Sequence, residues 1–320
     1  MAKKYDVVCI GDATLDITMC NIPSNFLCAD SSYADIIAIS VGGDAANQAA
    51  VSSALGNSTA LVAKIGDDDI GRIIQSKLRN EKIDLDYTLF SAEKGSGFCV
   101  VIVQPNGQRN FLVWAGSGKK DLSLPEMNLD FLDQTRAVCV GSLFCLKELD
   151  RGGIAAIFQQ ARRKGVLTFA DMTADAYHIG GAAFQDLYPH VDYLLPSLAE
   201  ARYVTGESDP RAMARRLMRE GVRNVVIKLG DEGCYVKSPD EEFFLDPYAI
   251  DALDTTGCGD NFTAGFLYGV LHGYSLRDSA SFGCAAGAIN ATKIGAHGAV
   301  ESCQQVLDFQ KTVMTRSIRR

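Results

Sequence analysis

Near the carboxyl end runs Asp254-Thr255-Thr256-Gly257-Cys258-Gly259-Asp260-Asn261-Phe262-Thr263-Ala264-Gly265-Phe266. Thr-Thr-Gly-Cys-Gly has the composition of a turn, and Leu267, Val270 and Leu271 follow at helical spacing. A turn that opens a helix presents successive backbone N–H groups, and glycines clear the approach to them. The segment therefore predicts an anion site suited to a phosphoryl group in transfer. Asp260 stands beside it. An acid in a first helical turn is also an ordinary cap, but here it follows two glycines, where an incoming hydroxyl would meet both a base and a phosphate. The expected chemistry is proton removal by Asp260 while the N–H groups take up charge on the phosphoryl oxygens.

A second glycine turn, Val41-Gly42-Gly43-Asp44-Ala45-Ala46-Asn47-Gln48-Ala49-Ala50, opens a helix whose small residues permit close packing. Asn47 offers a donor and an acceptor, for a ligand or for water. Asp12 and Asp16 follow the first apolar run, at the edge where open α/β sheets bind ligands. Carboxylates there can accept from neighbouring hydroxyls of a sugar; capping and turn formation are the competing roles.

Two nucleotide motifs are incomplete. Gly116-Ser117-Gly118-Lys119-Lys120 imitates the end of a P-loop, but Val113 takes the first glycine position and Lys120 replaces Ser or Thr. Gly11-Asp12-Ala13-Thr14-Leu15-Asp16 lacks two glycines of a dinucleotide fingerprint. Ten cysteines without C-x-x-C spacing read as reduced thiols, and His178, His190, His272 and His297 are too scattered for a zinc site. A net charge of −8 disfavours a nucleic-acid partner and leaves a small molecule as the expected one. The apolar run from Val7 stops at Gly11-Asp12, short of a signal core, and no run reaches membrane-spanning length, so a cytoplasmic protein without a membrane partner is expected.

Those residues need a scaffold. Short apolar runs alternate with helical periods, which predicts a doubly wound, Rossmann-like α/β fold with a parallel sheet flanked by helices, one domain over residues 1–320. Strands are predicted at 6–10, 58–65, 137–140, 166–170, 193–195 and 224–228. Helices are predicted at 45–55 and 69–81, the second with Ile70, Ile73, Ile74 and Leu78 on one face. Residues of about 14–40 and 96–115, the latter carrying a Pro105-Asn106-Gly107 turn, read as a small β-sheet lid. It could close over a substrate, pair with a second subunit, or be a plain surface hairpin. Arg109, Phe111 and Trp114 on it could reach a substrate or pack between subunits.

Together the two glycine segments resemble the ribokinase-like (PfkB) family of carbohydrate kinases, through essentially the whole chain. The resemblance implies a ribokinase-type fold, ATP as phosphate donor, Mg²⁺, in many members K⁺, and a homodimer formed through the lid. It implies that Asp16, Gly42, Gly43 and Asn47, with Asp12, bind the sugar, that Gly257, Cys258 and Gly259 form the anion hole, and that Asp260 is the base. In Ile227-Lys228-Leu229-Gly230-Asp231-Glu232-Gly233 it implies contact with ATP through Lys228, Gly230 and Gly233. Thr255, Cys284, Gly287 and Asn290 match nucleotide-side positions, with helix packing the competing role for the last three. Asp254, Thr256, Asn290, Lys293 and Gly295 match the monovalent-cation loops, and Glu200 the residue that supports Mg²⁺ through water.

The sequence also departs from the family pattern. Ser197 replaces Asn in Asn-x-x-Glu, which predicts rearranged Mg²⁺ support. After Ala170-Asp171-Met172-Thr173-Ala174-Asp175 no Arg follows, against acidic keto-sugars, and Asp44 is expected to disfavour an anionic substrate. Cys258, at a helix N-terminus, is expected to have a lowered thiol pKa. The activity expected is ATP-dependent phosphorylation of a neutral sugar of ribose or ketohexose type. A nucleoside kinase is the alternative within enzymes, and a sugar- or nucleotide-binding protein without turnover the alternative outside them.

Overall fold

Tyr5–Ile10 (β1) is buried along almost its whole length, as an unalternating apolar run must be when both faces of its sheet are covered. The structure, a computed structural model, describes residues 3–105 and 109–318. The next strands are Thr14–Cys20 (β2), Ile36–Gly42 (β3), Thr59–Val62 (β4), Lys64–Gly66 (β5), Leu89–Ser91 (β6), Gly97–Val103 (β7) and Arg109–Trp114 (β8). Thr135–Leu143 (β9), Leu167–Met172 (β10), Tyr193–Leu195 (β11), Asn224–Lys228 (β12), Cys234–Lys237 (β13) and Glu242–Leu245 (β14) complete them.

Eight strands form one sheet in the order β14-β13-β12-β11-β10-β9-β1-β4. From β12 to β4 neighbours run parallel, whereas β13 and β14 extend the edge antiparallel, so the expected parallel sheet is mixed. The cause is local. Gly230 (φ 64°) and Gly233 (φ 86°) reverse the chain directly after β12, leaving no length for a crossover helix. The predicted strand at 58–65 also divides: the Ala63 carbonyl accepts from Leu89 N at 2.8 Å, and β5 leaves the main sheet to pair with β6.

Alternate residues of the central strands feed two cores, with Val8, Ile10, Val138 and Val140 on one face and Val7, Cys9, Ala137 and Cys139 on the other. The helix Asp44–Leu55 lies close over the second face because Gly11 and Gly141 have no side chain; a Cβ on Gly141 would meet the Ala45 backbone. Helix Asp69–Asn80 is capped by Asp68 Oδ1, which accepts from Gly71 N at 2.7 Å. Ile74 and Leu78 are buried on its inner face, but Ile73, expected beside them, is 41% exposed. No described helix is long and apolar enough to cross a membrane.

β3, β2, β7 and β8 form a separate four-stranded sheet. Asp16 lies in register with Ser40 and Cys99, and Cys99 with Val113, so these share one face of the sheet. On the opposite face Ile39, Ile17, Val100 and Leu112 form a cross-strand row. Leu112, Trp114 and Ile37 are each more than half exposed there. The predicted Asn106-Gly107 turn and the Arg109 side chain lie outside the described residues.

Candidate active site

Helix Cys258–Leu271 begins at Gly257, whose φ of 71° favours glycine and where a Cβ would collide with the Ala296 carbonyl. Asn261 N enters the helical ladder first, donating to Gly257 O at 2.9 Å, so the amides of Gly259 and Asp260 lie ahead of the ladder. Cys258 N closes a turn on the Thr255 carbonyl at 3.3 Å. Lys228, at the end of β12, carries its Nζ to within 3.4 Å of the place a Gly259 Cβ would occupy, adding a cation to the turn.

Asp260 is buried in the first turn. Its Oδ2 accepts from Asn47 Nδ2 at 2.8 Å and its Oδ1 from Gln48 Nε2 at 3.2 Å, so one helix supplies donors to both carboxylate oxygens. Burial and the Asp171 charge push its pKa up to about 7, against the opposing effect of Asn47, Lys228 and Gln48. Asp171, the penultimate residue of β10, accepts from Lys228 Nζ at 2.6 and 2.7 Å and from Thr263 Oγ1 at 2.7 Å. Burial alone would lower the Lys228 pKa, but Asp171 and Glu200 raise it above its ordinary value. Glu200 in turn is pushed up by burial, with Lys228 opposing. Glu200 and Ser197 form a capping box on helix Leu198–Thr205: Ser197 N donates to Glu200 Oε2 at 2.6 Å and Glu200 N to Ser197 Oγ at 3.3 Å.

The other glycine turn, Gly42-Gly43, packs against Asp16 and Asp12. A Cβ on Gly42 would collide with the Asp16 carboxylate, and one on Gly43 (φ 95°) would sit 2.7 Å from the Asp12 carbonyl. Burial pushes Asp16 up to about 6, with Thr14 opposing and the Asp12 charge adding. Asp12 accepts from Asp44 N at 3.1 Å and pairs with Lys119 Nζ at 3.2 Å. The incomplete P-loop segment is thus part of a short helix, Gly116–Asp121, that brings a cation to Asp12. Asp44 contacts the Ser142 hydroxyl, and burial, Asp260 and Asp12 hold its carboxyl well above the usual range.

The Gly230–Glu232 turn joins β12 to β13, with Leu229 N donating to Gly233 O at 2.9 Å. Gly287 packs against helix Cys258–Leu271, where its Cβ would lie 3.1 Å from the Cys258 carbonyl, and the Cys284 thiol lies 3.7 Å from that of Cys234. Asp254 braces two loops, accepting from Thr256 N at 2.9 Å and Gly295 N at 3.0 Å. Asn290 Nδ2 ties the same loops through the Thr256 carbonyl at 2.7 Å and the Gly295 carbonyl at 3.4 Å. The Lys293 side chain pairs with Glu301 at 3.0 Å and is more than half exposed. The expectation for Cys258 is reversed: burial raises its thiol pKa, and the Asp254 and Asp260 charges add to that despite the Asn290 contact.

The family model of the pfkB family carbohydrate kinases matches residues 4–303. This chain belongs to the PfkB family. Among relatives of this PfkB-family sugar kinase, the ribokinase of Haemophilus influenzae is 27% identical over 278 residues, covering 85% of this chain and 87% of its own. The ATP-dependent 6-phosphofructokinase of Thermoanaerobacterium thermosaccharolyticum is 24% identical over 299 residues, covering 92% and 90%. The fold is that of Arabidopsis thaliana ribokinase, solved with ribose and ATP, at a TM-score of 0.81 and 24% identity over 97% of this chain and 99% of that one.

Several residues join the site in this PfkB kinase without having been assigned from sequence. Asp171 lies next to the end of a strand at the carboxyl edge of the sheet, a position that by itself marks candidates. Gln48 follows Asn47 on a helix already implicated. For Lys119, Thr263 and His297 no local signal points to the site.

Proposed function

We propose that this sugar kinase transfers the γ-phosphoryl group of ATP to a primary hydroxyl of a small neutral sugar of ribose or ketohexose type. The observation that carries the reading is the pair of hydrogen bonds from Asn47 and Gln48 to Asp260, which joins the base to the helix opened by the acceptor turn. In this reading Asp260 accepts the hydroxyl proton as the new P–O bond forms. The 257–259 turn, with the amides ahead of the ladder and Lys228 beside them, takes the charge of the phosphoryl oxygens. A pKa near 7 suits a base that must be ionised before transfer and protonated after it.

Asp12, Asp16, Gly42 and Gly43 form the sugar cradle. Asp12, Asp16, Asp44 and Asp260 gather at that end, where Lys119 is already paired with Asp12, which favours a neutral acceptor over the phosphorylated one named by the phosphofructokinase relative. Mg²⁺, when bound, supplies charge neutralisation at the phosphates. Glu200 suits water-mediated support, because its Oε2 is taken by the Ser197 cap while Oε1 lies outside that contact. The Asp254 and Gly295 loops, held in register by Asn290, offer carbonyls for a monovalent cation. The four-stranded sheet acts as lid and, through its apolar outer face, as the contact in a homodimer.

The deciding experiment measures ADP release over a panel of sugars, sugar phosphates and nucleosides, wild type against Asp260→Asn. Wild-type turnover with a neutral sugar and a loss of at least about 100-fold in the variant are expected. Equal rates reject the base, and preference for a sugar phosphate or nucleoside rejects the substrate class.

A further inference from the structure

We infer that His297 is a positioning residue for the base: it holds the Asn47 amide with its NH₂ group, rather than its oxygen, turned to Asp260. The inference rests on the reading of Asp260 as the general base.

His297 follows Ala296, whose carbonyl packs on Gly257, and its side chain is 9% exposed. Its Nδ1 lies 2.9 Å from Asn47 Oδ1, and Asn47 Nδ2 lies 2.8 Å from Asp260 Oδ2. On the other side of the ring, Nε2 lies 3.2 Å from Glu81 Oε1. Glu81 is the C-cap of helix Asp69–Asn80, and its carbonyl accepts from Ser53 Oγ at 2.7 Å, which anchors it to the helix that carries Asn47. The amide oxygen is an acceptor, so the ring nitrogen that faces it, Nδ1, is the donor in that contact.

The need for such a device follows from the reaction. A primary amide has nearly the same shape in its two orientations, so packing cannot choose between them and hydrogen bonding must. While Asp260 is ionised, its charge selects the NH₂ group. Once Asp260 has taken the proton from the acceptor it can donate, and the amide oxygen becomes an equally good partner. A flip at that point would leave Asn47 presenting oxygen to the carboxylate of the next cycle. With the Asp260 pKa near 7, both protonation states are populated during turnover. The N–H of His297 on the far side keeps the amide oxygen engaged in either state. Asn47, buried at 4% exposure, has no solvent to supply that donor.

The test uses the full chain and the acceptor that turns over best. His297→Ala is expected to lower kcat roughly 10- to 100-fold while the acceptor KM changes less than about threefold. His297→Gln, whose amide can donate to Asn47, should recover most of the rate. In an Asn47→Ala background, His297→Ala should cost almost nothing further, because its effect passes through that amide. Glu81→Ala, at a partly exposed position, carries the same cycle should His297→Ala fail to fold. Wild-type kcat in His297→Ala, or losses that simply add in the double variant, would overturn the positioning role. If Asp260→Asn turns over like wild type, the base assignment itself fails; if Asp260→Asn is inactive and His297→Ala is not impaired, only this inference does.

Discussion

Lys228 Nζ sits between the two carboxylate oxygens of Asp171, at 2.6 and 2.7 Å, across the ends of β12 and β10 at the floor of the site. The side chains are 14% and 3% exposed, so neither charge is screened by bulk water. Removing one partner strands the other. Lys228→Met is expected to cost about 3–5 kcal/mol of stability, read from urea unfolding. Adding Asp171→Leu should restore much of that stability without restoring turnover, since the cation beside Gly259 is still missing. A double variant as active as wild type would show that the pair is structural only.

Asp260 supplies a pH dependence. Burial and Asp171 raise it from the ordinary 3.8 to about 7, so kcat/KM should rise with pH and level off above that value as the base ionises. Stability moves the opposite way. Between these two values the folded state holds a proton that the unfolded chain has released, so this group's contribution is full below about 4 and lost as pH rises to about 7. Thermal melts of wild type should therefore fall with pH over that window relative to Asp260→Asn. Parallel melting curves would contradict the raised carboxyl.

Gly42 leaves room for the Asp16 carboxylate and for nothing larger. Its backbone lies outside the positive-φ region, so Gly42→Ala should fold and instead push Asp16 aside. The acceptor KM is expected to rise at least about tenfold, with the ATP KM changed less than about twofold. An unchanged acceptor KM would remove Asp16 from the sugar cradle.

The outer face of the four-stranded sheet predicts association. Ile39, Ile17, Val100 and Leu112 lie in one cross-strand row, and Leu112 is 60% exposed. Leu112→Lys, combined with Ile39→Lys, should convert a dimer to a monomer in sedimentation, because burying two unpaired charges outweighs the apolar contact. A wild type that sediments as a monomer at all concentrations rejects the interface.

Contiguous residues carried the local geometry. The glycine turns at 42–43 and 257–259, the small-residue helix behind the first and the first-turn acid behind the second are readable because backbone freedom and helix starts depend on neighbours in sequence. The short buried strands were legible for the same reason, and β11 and β12 lie at the residues their apolar runs predicted. The antiparallel edge was not, because glycines such as Gly230 and Gly233 serve close approach to a ligand as well as a chain reversal, and only the pairing of β13 with β12 tells the two apart. What only the tertiary structure decided is who meets whom. Asn47 and Asp260 are 213 residues apart, Gln48 and Asp171 123, and His297 reaches Asn47 across 250. Charge states followed from those meetings. Asp44 reads as an ordinary carboxylate in sequence, and burial with the Asp260 and Asp12 charges beside it raises its pKa. Cys258 reads as an activated thiol and is suppressed by burial. Hydrogen bonding and desolvation depend on distances that chain closure sets, and no local pattern encodes them.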